Sequence, residues 1–491
     1  MTKEIRNIAP KTVWNHFSDL NAVPRPSKKE EKIIQFMVDF GSRLQLDTSV
    51  DKVGNVIIKK PASPGMEDRK TIVMQGHLDM VHQKNAETTF DFEKEGINMF
   101  VDGDWVKAKG TTLGADNGLG VAAIMAVLSS TTIEHPAIEA LFTIDEETGM
   151  TGAMGLQPNV LKGEILLNLD TEEDDEIGIG CAGGIDITAT KKYIQDPLPK
   201  NTTAFNITVN GLQGGHSGMD IIKGLGNANK IMNRLLFDGF TNYSLRITKL
   251  NGGGLRNAIP RESFATIVVD KESKNSFLSN TKSLIENIKN EYASLEKELN
   301  IEIKATDSPT KVMDIDAQEK LIKAIYTTLN GVYRMSPDVE GLVETSNNIA
   351  KVAADNGNIQ LLCLTRSSSE SNKWDLANAI KSGFELANFN VLFSGTYPGW
   401  LPNKNSSILQ VVENTYVSLF KEKPNVAACH AGLECGILGQ NYPNMEMISF
   451  GPNIKGAHSP DERAQISSTQ KFWKLLLEVL KNIPKKEDTQ F

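Results

Sequence analysis

The sequence predicts an α/β fold: a mixed-sheet domain interrupted by an inserted α+β domain. Three observations carry that expectation. Four apolar, β-branched stretches (residues 71–81, 140–149, 164–170 and 445–452) each run into histidine or carboxylate residues at or beyond their C-terminal ends. A glycine-rich loop, residues 109–120, feeds the very apolar segment 121–128, whose lack of a polar face marks a buried helix. Between residues 187 and 400 the chain changes character, and strands mix with amphipathic helices. The expected organisation is one domain built from residues 1–186 and 401–491, with 187–400 inserted.

Residues 10–45 read as helical. One helix opens over 10–17, and Ser27-Lys28-Lys29-Glu30-Glu31 offers an N-cap and first turn for a second over 32–38. His16 lies on the first and reads as structural. Residues 53–59 read as a strand and 61–68 as the turn before the central strand, 71–81. Alternate strand residues share a face, so His77 and Asp79 point the same way. An imidazole and a carboxylate so placed suit metal binding, one ring nitrogen on the ion and the other held by the carboxylate or a neighbour. On that stretch alone, a surface histidine beside a solvated aspartate fits as well. His82 comes next and reads as a bystander.

A strand is expected near residues 105–108. The glycine-rich loop after it has neither the GxxxxGK[ST] nor the GxGxxG spacing, so a phosphate cradle is weakly supported. It presents Asp116 near a helix start, where N-capping is the simpler reading of that residue alone. The second apolar strand delivers Glu146 and Glu147, and the third delivers Asp170. The fourth leads into residues 453–463, which carry His458. One acid past one strand is a solvated loop tip. Four strands doing the same match the crevice beyond the carboxyl ends of open α/β sheets, where ligands bind.

In the insert, residues 205–211 alternate as a half-buried strand. Gly214-Gly215-His216-Ser217-Gly218 makes a tight turn before a helix over 226–236, and residues 255–260 turn into a strand over 264–269. Residues 275–300 read as a polar amphipathic helix, 361–367 as a strand and 373–386 as a helix. Two similar halves fit this segment, without a clear residue-level repeat. The chain ends in a helix over 471–482 and a charged tail from Lys485.

Bulk properties exclude several classes. A net charge of −9 and a pI near 5.5 argue against nucleic acid or an anionic membrane as the main partner. The four cysteines, Cys181, Cys363, Cys429 and Cys435, form no CxxC pair, which leaves neither a disulfide framework nor a thiolate metal site. The chain opens on charge, and no apolar run reaches the roughly 18 residues of a membrane span, so a cytoplasmic location is expected. Cys429-His430 offers a rival, a thiol nucleophile beside a base, although such pairs usually meet from distant segments.

The candidate ligands are His77, His458, Asp116, Glu147 and Asp170. A nitrogen and oxygen set without thiolates suits Zn²⁺, with Co²⁺ or Mn²⁺ as substitutes. Five ligands exceed what one catalytic zinc with an open position takes, and suit two metals sharing a carboxylate. Glu146 is then free to act as general base.

The motifs HxD at His77 and Asp79, GADNG at Asp116, DEETG at Glu146 and Glu147, NLDTEE at Asp170, GGHSG at His216 and GAHSPDE at His458 resemble the M20 clan of di-zinc peptidases. They occur in family order over nearly the whole chain. The resemblance implies a di-zinc exopeptidase catalytic domain with an inserted lid. It implies that Asp116 bridges two Zn²⁺, with His77 and Asp170 on one and Glu147 and His458 on the other. Asp79 supports His77, Glu146 is the base, and the Asp116–Asn117 peptide is cis. His216, Asn257 and Arg366 hold the substrate's oxyanion or C-terminal carboxylate, and Gly432 lines the pocket. The implied substrates are small peptides, dipeptides including Xaa-His ones, with N-acyl amino acids or tripeptides as the alternative. A homodimer is expected, with no nucleic-acid or membrane partner.

Overall fold

The computed structural model describes residues 4–486; residues 1–3 and 487–491, the end of the expected charged tail, lie outside them. The chain divides into two compact units. The first takes the chain up to Gly180, Pro402–Ala428 and the residues from Leu433 onward; the second takes Cys181–Leu401 and Cys429–Gly432. Nothing in the sequence marks the short return of 429–432 to the second unit.

Among the described residues, the first unit holds an eight-stranded mixed sheet. Its order is Asp47–Val50, Val56–Lys60, Ile138–Thr143, Ile72–His77, Ile165–Asn168, Glu446–Ser449, Glu176–Cys181 and Asn425–Cys429. The third to sixth strands in that order run parallel, and the first three of these are buried along their whole length. Burial on both faces is why they read as apolar runs rather than as alternation.

A parallel pair needs a crossover, and the helix Ala115–Ser129 lies in the one between Ile72–His77 and Ile138–Thr143. It packs on Ile72–His77 and on the helix Lys11–Leu20. The packing is close: a Cβ on Gly120 would meet the Leu169 carbonyl at 2.2 Å, and one on Gly76 would meet Asn117 Oδ1 at 2.4 Å. The glycines therefore serve backbone approach. A four-stranded sheet, Ile454–Lys455, Arg463–Gln465, Trp105–Ala108 and Met99–Asp102, carries the His458 loop between its first two strands. Ser27 is not the cap expected of it. Glu30 sits at the N-cap of Glu31–Arg43, and Ser27 Oγ donates to Asp79 Oδ2 at 2.8 Å. His16 is half-buried and makes structural contacts, with Nε2 3.1 Å from Ser129 Oγ and its ring against Phe40.

The second unit is built on a nine-stranded sheet that starts Asn300–Ala305, Thr202–Asn210, Ser263–Asp270, Arg246–Gly253 and continues Val343–Asp355, Asn358–Ser367, Gly183–Lys192, Asn390–Tyr397, with Gly331–Met335 added to Val343–Asp355. The helices Ala228–Tyr243, Lys274–Tyr292, Ile315–Thr327 and Glu370–Leu386 contribute to one apolar core with it. The helix expected over 275–300 ends at Tyr292, and a strand begins at Asn300. The long strand Val343–Asp355 had no sequence signal because Glu344, Thr345, Ser346, Asn347 and Asn348 are all buried, which gives neither an apolar run nor an alternation. Internal partners satisfy them: Asn347 Nδ2 donates to Leu329 O at 2.7 Å, and Asn348 Nδ2 to Ala258 O at 2.8 Å.

Candidate metal centre

The first unit brings the five expected ligands together. His77 Nε2 lies 3.0 Å from Asp116 Oδ1 and 3.6 Å from Asp170 Oδ1. His458 Nε2 lies 3.1 Å from Asp116 Oδ2 and 3.0 Å from Glu147 Oε2. Two groups with metal-ligand geometry result, His77–Asp116–Asp170 and Asp116–Glu147–His458, and Asp116 belongs to both with a different oxygen facing each histidine. A third grouping joins His77 with Glu146 and Glu147. The peptide between Asp116 and Asn117 is cis, as the resemblance implies.

The donor set fits divalent cations. Nitrogen and oxygen atoms about 2 Å from one ion stand roughly 3–3.5 Å apart, close to the spacing found. Glu147 Oε1 is buried without a hydrogen-bond partner among the described residues. The electrostatics show a cluster short of positive charge. Burial would lower His77, but Asp170, Asp116 and Asp79 raise its proton affinity well above normal. Hydrogen bonds to Asp116 and Glu147 lift His458 to about 11. Burial would raise Asp116, yet the two histidines hold it below the usual carboxylate range. Burial pushes Glu146 and Asp170 well above that range.

Asp79 organises one side of this cluster. Its carboxylate lies 3.3 Å from His77 Nδ1 and accepts from Ser27 Oγ. It also accepts from the backbone N–H groups of Glu146 at 3.0 Å and Glu147 at 3.3 Å, so one residue fixes the ligand ring and the turn that carries the two acids.

Sequence reasoning missed three supports. Glu462 accepts from the backbone N–H groups of Leu113, Gly114, Ala115 and Asp116, which holds the Asp116 loop. Its place in the GAHSPDE motif was the available signal. Arg25, fully buried, donates to the carbonyls of Leu78 and Asp79 at 3.1 Å each and of Gly114 at 2.6 Å. Asn117 Nδ2 donates to Asp170 Oδ1 at 2.5 Å. His82 stands apart, with its ring against Phe92.

In the second unit, His216 Nδ1 accepts from the backbone N–H of Met219 at 3.0 Å and of Gly218 at 3.3 Å. The neutral ring's proton would therefore sit on Nε2, and burial together with the Arg366 charge lowers the ring's proton affinity. Arg366 Nη2 lies 3.5 Å from that Nε2, and Arg366 Nη1 donates to Tyr397 Oη at 2.7 Å. Asn257 contributes its carbonyl to Ser217 N–H at 2.8 Å, and Gly432 belongs to this unit. His430 Nε2 is 2.7 Å from Ser346 Oγ, and Cys429 Sγ donates to Ala431 O. These contacts give the Cys429-His430 dyad no support.

The sequence profile of Peptidase family M20/M25/M40 matches residues 73–482. The chain is 43% identical to the cytosol non-specific dipeptidase of Escherichia coli K12 over 483 residues, covering 98% of this chain and all of that one. Its structure matches the aminoacylhistidine dipeptidase of Vibrio alginolyticus with a TM-score of 0.94 and 43% identity, over 99% of each chain. The aminopeptidase PepT of Bacillus cereus shares the fold, with a TM-score of 0.57 at 14% identity over 97% of this chain and 99% of that one. The chain is a peptide hydrolase and belongs to Peptidase family M20/M25/M40.

Proposed function

We propose that the chain is a metal-dependent dipeptidase whose substrates include Xaa-His dipeptides such as β-alanyl-histidine. The observation that carries the reading is Asp116, with one oxygen toward each histidine in two three-ligand groups. The substrate class is supported by the names of the Escherichia coli and Vibrio alginolyticus relatives. His77, Asp116 and Asp170 would hold one Zn²⁺, and Asp116, Glu147 and His458 a second, with Co²⁺ or Mn²⁺ as substitutes. When bound, the pair polarises a carbonyl and acidifies water.

Glu146 takes a proton from the attacking water as the water oxygen bonds to the scissile carbonyl carbon. It returns that proton to the leaving amine as the C–N bond breaks. The proton affinity that burial gives Glu146 suits a group that stores a proton between the two steps. Asp79 keeps His77 oriented through Nδ1. His216 Nε2–H and Asn257 donate to the developing oxyanion. Arg366 takes the C-terminal carboxylate, and Gly432 lines the pocket. The reading includes a cytoplasmic homodimer.

The test is a substrate panel on zinc-reconstituted protein with a chelated control: Leu-His, β-alanyl-His, Leu-Leu-Leu and N-acetyl-Leu, read by amine release. Chelator-sensitive cleavage of the two dipeptides alone is the expected result. Cleavage of the tripeptide or the acetylated compound instead would keep the two-metal chemistry and overturn the substrate class.

A further inference from the structure

Glu434, at the start of the helix Glu434–Asn441, is buried and takes part in none of the steps above. Its Oε2 accepts from Gln75 Nε2 and from Thr143 Oγ1, both at 2.6 Å. Gln75 Oε1 accepts from Asn168 Nδ2 at 2.5 Å, and Asn168 Oδ1 accepts from Ser449 Oγ at 2.5 Å. Ser449 Oγ lies 2.8 Å from Thr171 Oγ1. Since the Ser449 proton goes to Asn168, Thr171 is the donor in that last pair. The donors from Thr171 to Gln75 all point one way, and that row ends on Glu434 Oε2, where Thr143 joins it.

The strand register explains the row. Gln75 pairs with Asn168, and Asn168 with Ser449, in parallel strands. Thr143 pairs with His77, which shares a face with Gln75. Four adjacent strands thus carry a polar, fully buried side chain at nearly one level, where Ile165, Leu166 and Leu167 before Asn168 are apolar. The row lies just beneath the candidate ligands. His77 comes two residues after Gln75, Asp170 two after Asn168, and Glu146 three after Thr143. A buried row of donors is costly unless its last member finds an acceptor. Glu434 Oε1 is itself buried with no hydrogen-bond partner among the described residues, so the carboxyl's hydrogen bonds are those of the row.

We propose that Glu434 is a positioning residue: as terminal acceptor of this row it locks the relative height of the strand ends that carry His77, Glu146, Glu147 and Asp170, and so sets the spacing of the two ligand groups. The inference rests on the metal-binding part of the proposed function and not on its dipeptide part.

The test uses the full chain loaded with Co²⁺, whose visible absorption reports ligand geometry without substrate. Glu434→Leu keeps the bulk and removes the acceptor; Glu434→Gln restores an acceptor oxygen. Glu434→Leu is expected to weaken Co²⁺ binding about tenfold or more, to shift the Co²⁺ bands, and to lower kcat on the cleaved dipeptide far more than it changes KM. Glu434→Gln recovers most of the affinity and the parent spectrum. Thr143→Val removes one donor at constant shape and gives a smaller shift in the same direction, which serves if Glu434→Leu does not fold. Parent-like Co²⁺ affinity and spectrum in folded Glu434→Leu or, where that does not fold, in Thr143→Val would overturn the proposal, as would a Glu434→Gln protein as impaired as Glu434→Leu. A parent protein that binds Co²⁺ yet cleaves neither dipeptide would overturn the substrate class alone, because the Co²⁺ readout still tests Glu434.

Discussion

His458 shows how protons and metal compete at the level of one residue. Without metal, its hydrogen bonds to Asp116 and Glu147 raise it to about 11, so at pH 7 Nε2 carries a proton that any cation must displace. Metal affinity should therefore rise with pH through neutrality, about tenfold per pH unit for each proton displaced. Zn²⁺ titrated into weakly buffered, metal-free protein at pH 7 should release protons, and uptake without release would remove His458 from the ligand set. The same pairing stabilises the metal-free fold with the opposite sign. A folded pKa above the unfolded value of about 6.5 gives a contribution that is complete below that pH and lost as the pH rises toward 11. Glu146 needs a different measurement, because one of the three-residue groupings includes it. If it is the base, Glu146→Ala retains both metals and loses roughly 10²–10⁴ in kcat. Loss of bound metal in that variant would make it a ligand instead.

Among the elements, the helix Ala115–Ser129 decides where Asp116 stands, and its N-terminus is held by a residue far along the chain. Glu462 accepts four N–H groups there, from residues 346–349 positions away. Removing it leaves buried donors unpaired, so Glu462→Ala should cost roughly 2–3 kcal/mol and weaken metal binding, read from the denaturant midpoint and metal content. An unchanged midpoint would mean that the loop holds itself. Gly120→Ala should also destabilise, by about 1–3 kcal/mol, because the backbone carbonyl of Leu169 cannot swing aside as a side chain would. The helix itself was legible, since a segment apolar all round has to be buried. The reason for its glycines was not, because close approach to Leu169 is a tertiary fact that the sequence does not display. Glu462, Arg25 and Glu434 were missed on similar grounds. A charged residue reads as solvated until its distant partners, backbone groups for the first two and Gln75 and Thr143 for the third, are known.

At the scale of the molecule, the change of character near residue 187 was the sequence's sign of an inserted segment, whereas the contacts divide the chain after Gly180 and after Leu401. The gathering of histidines and acids at or just past the ends of four buried strands was legible. The polar strand Val343–Asp355 and the return of residues 429–432 were not, since both depend on pairings made across the folded chain. The division has a thermodynamic consequence. All five candidate ligands lie in the first unit, while His216, Asn257, Arg366 and Gly432 lie in the second. A cation that binds only the folded first unit stabilises that unit by mass action, about 2.7 kcal/mol at a free concentration one hundred times Kd. Hydrogen exchange with Zn²⁺ and with chelator should then differ most at the strand ends around residues 77, 146 and 170 and at the loops around 116 and 458. Exchange in the core strands Gly183–Lys192 and Asn358–Ser367 should change little. Equal protection gained throughout both units would mean that the chain opens as one cooperative block, so that metal in the first unit also governs the second.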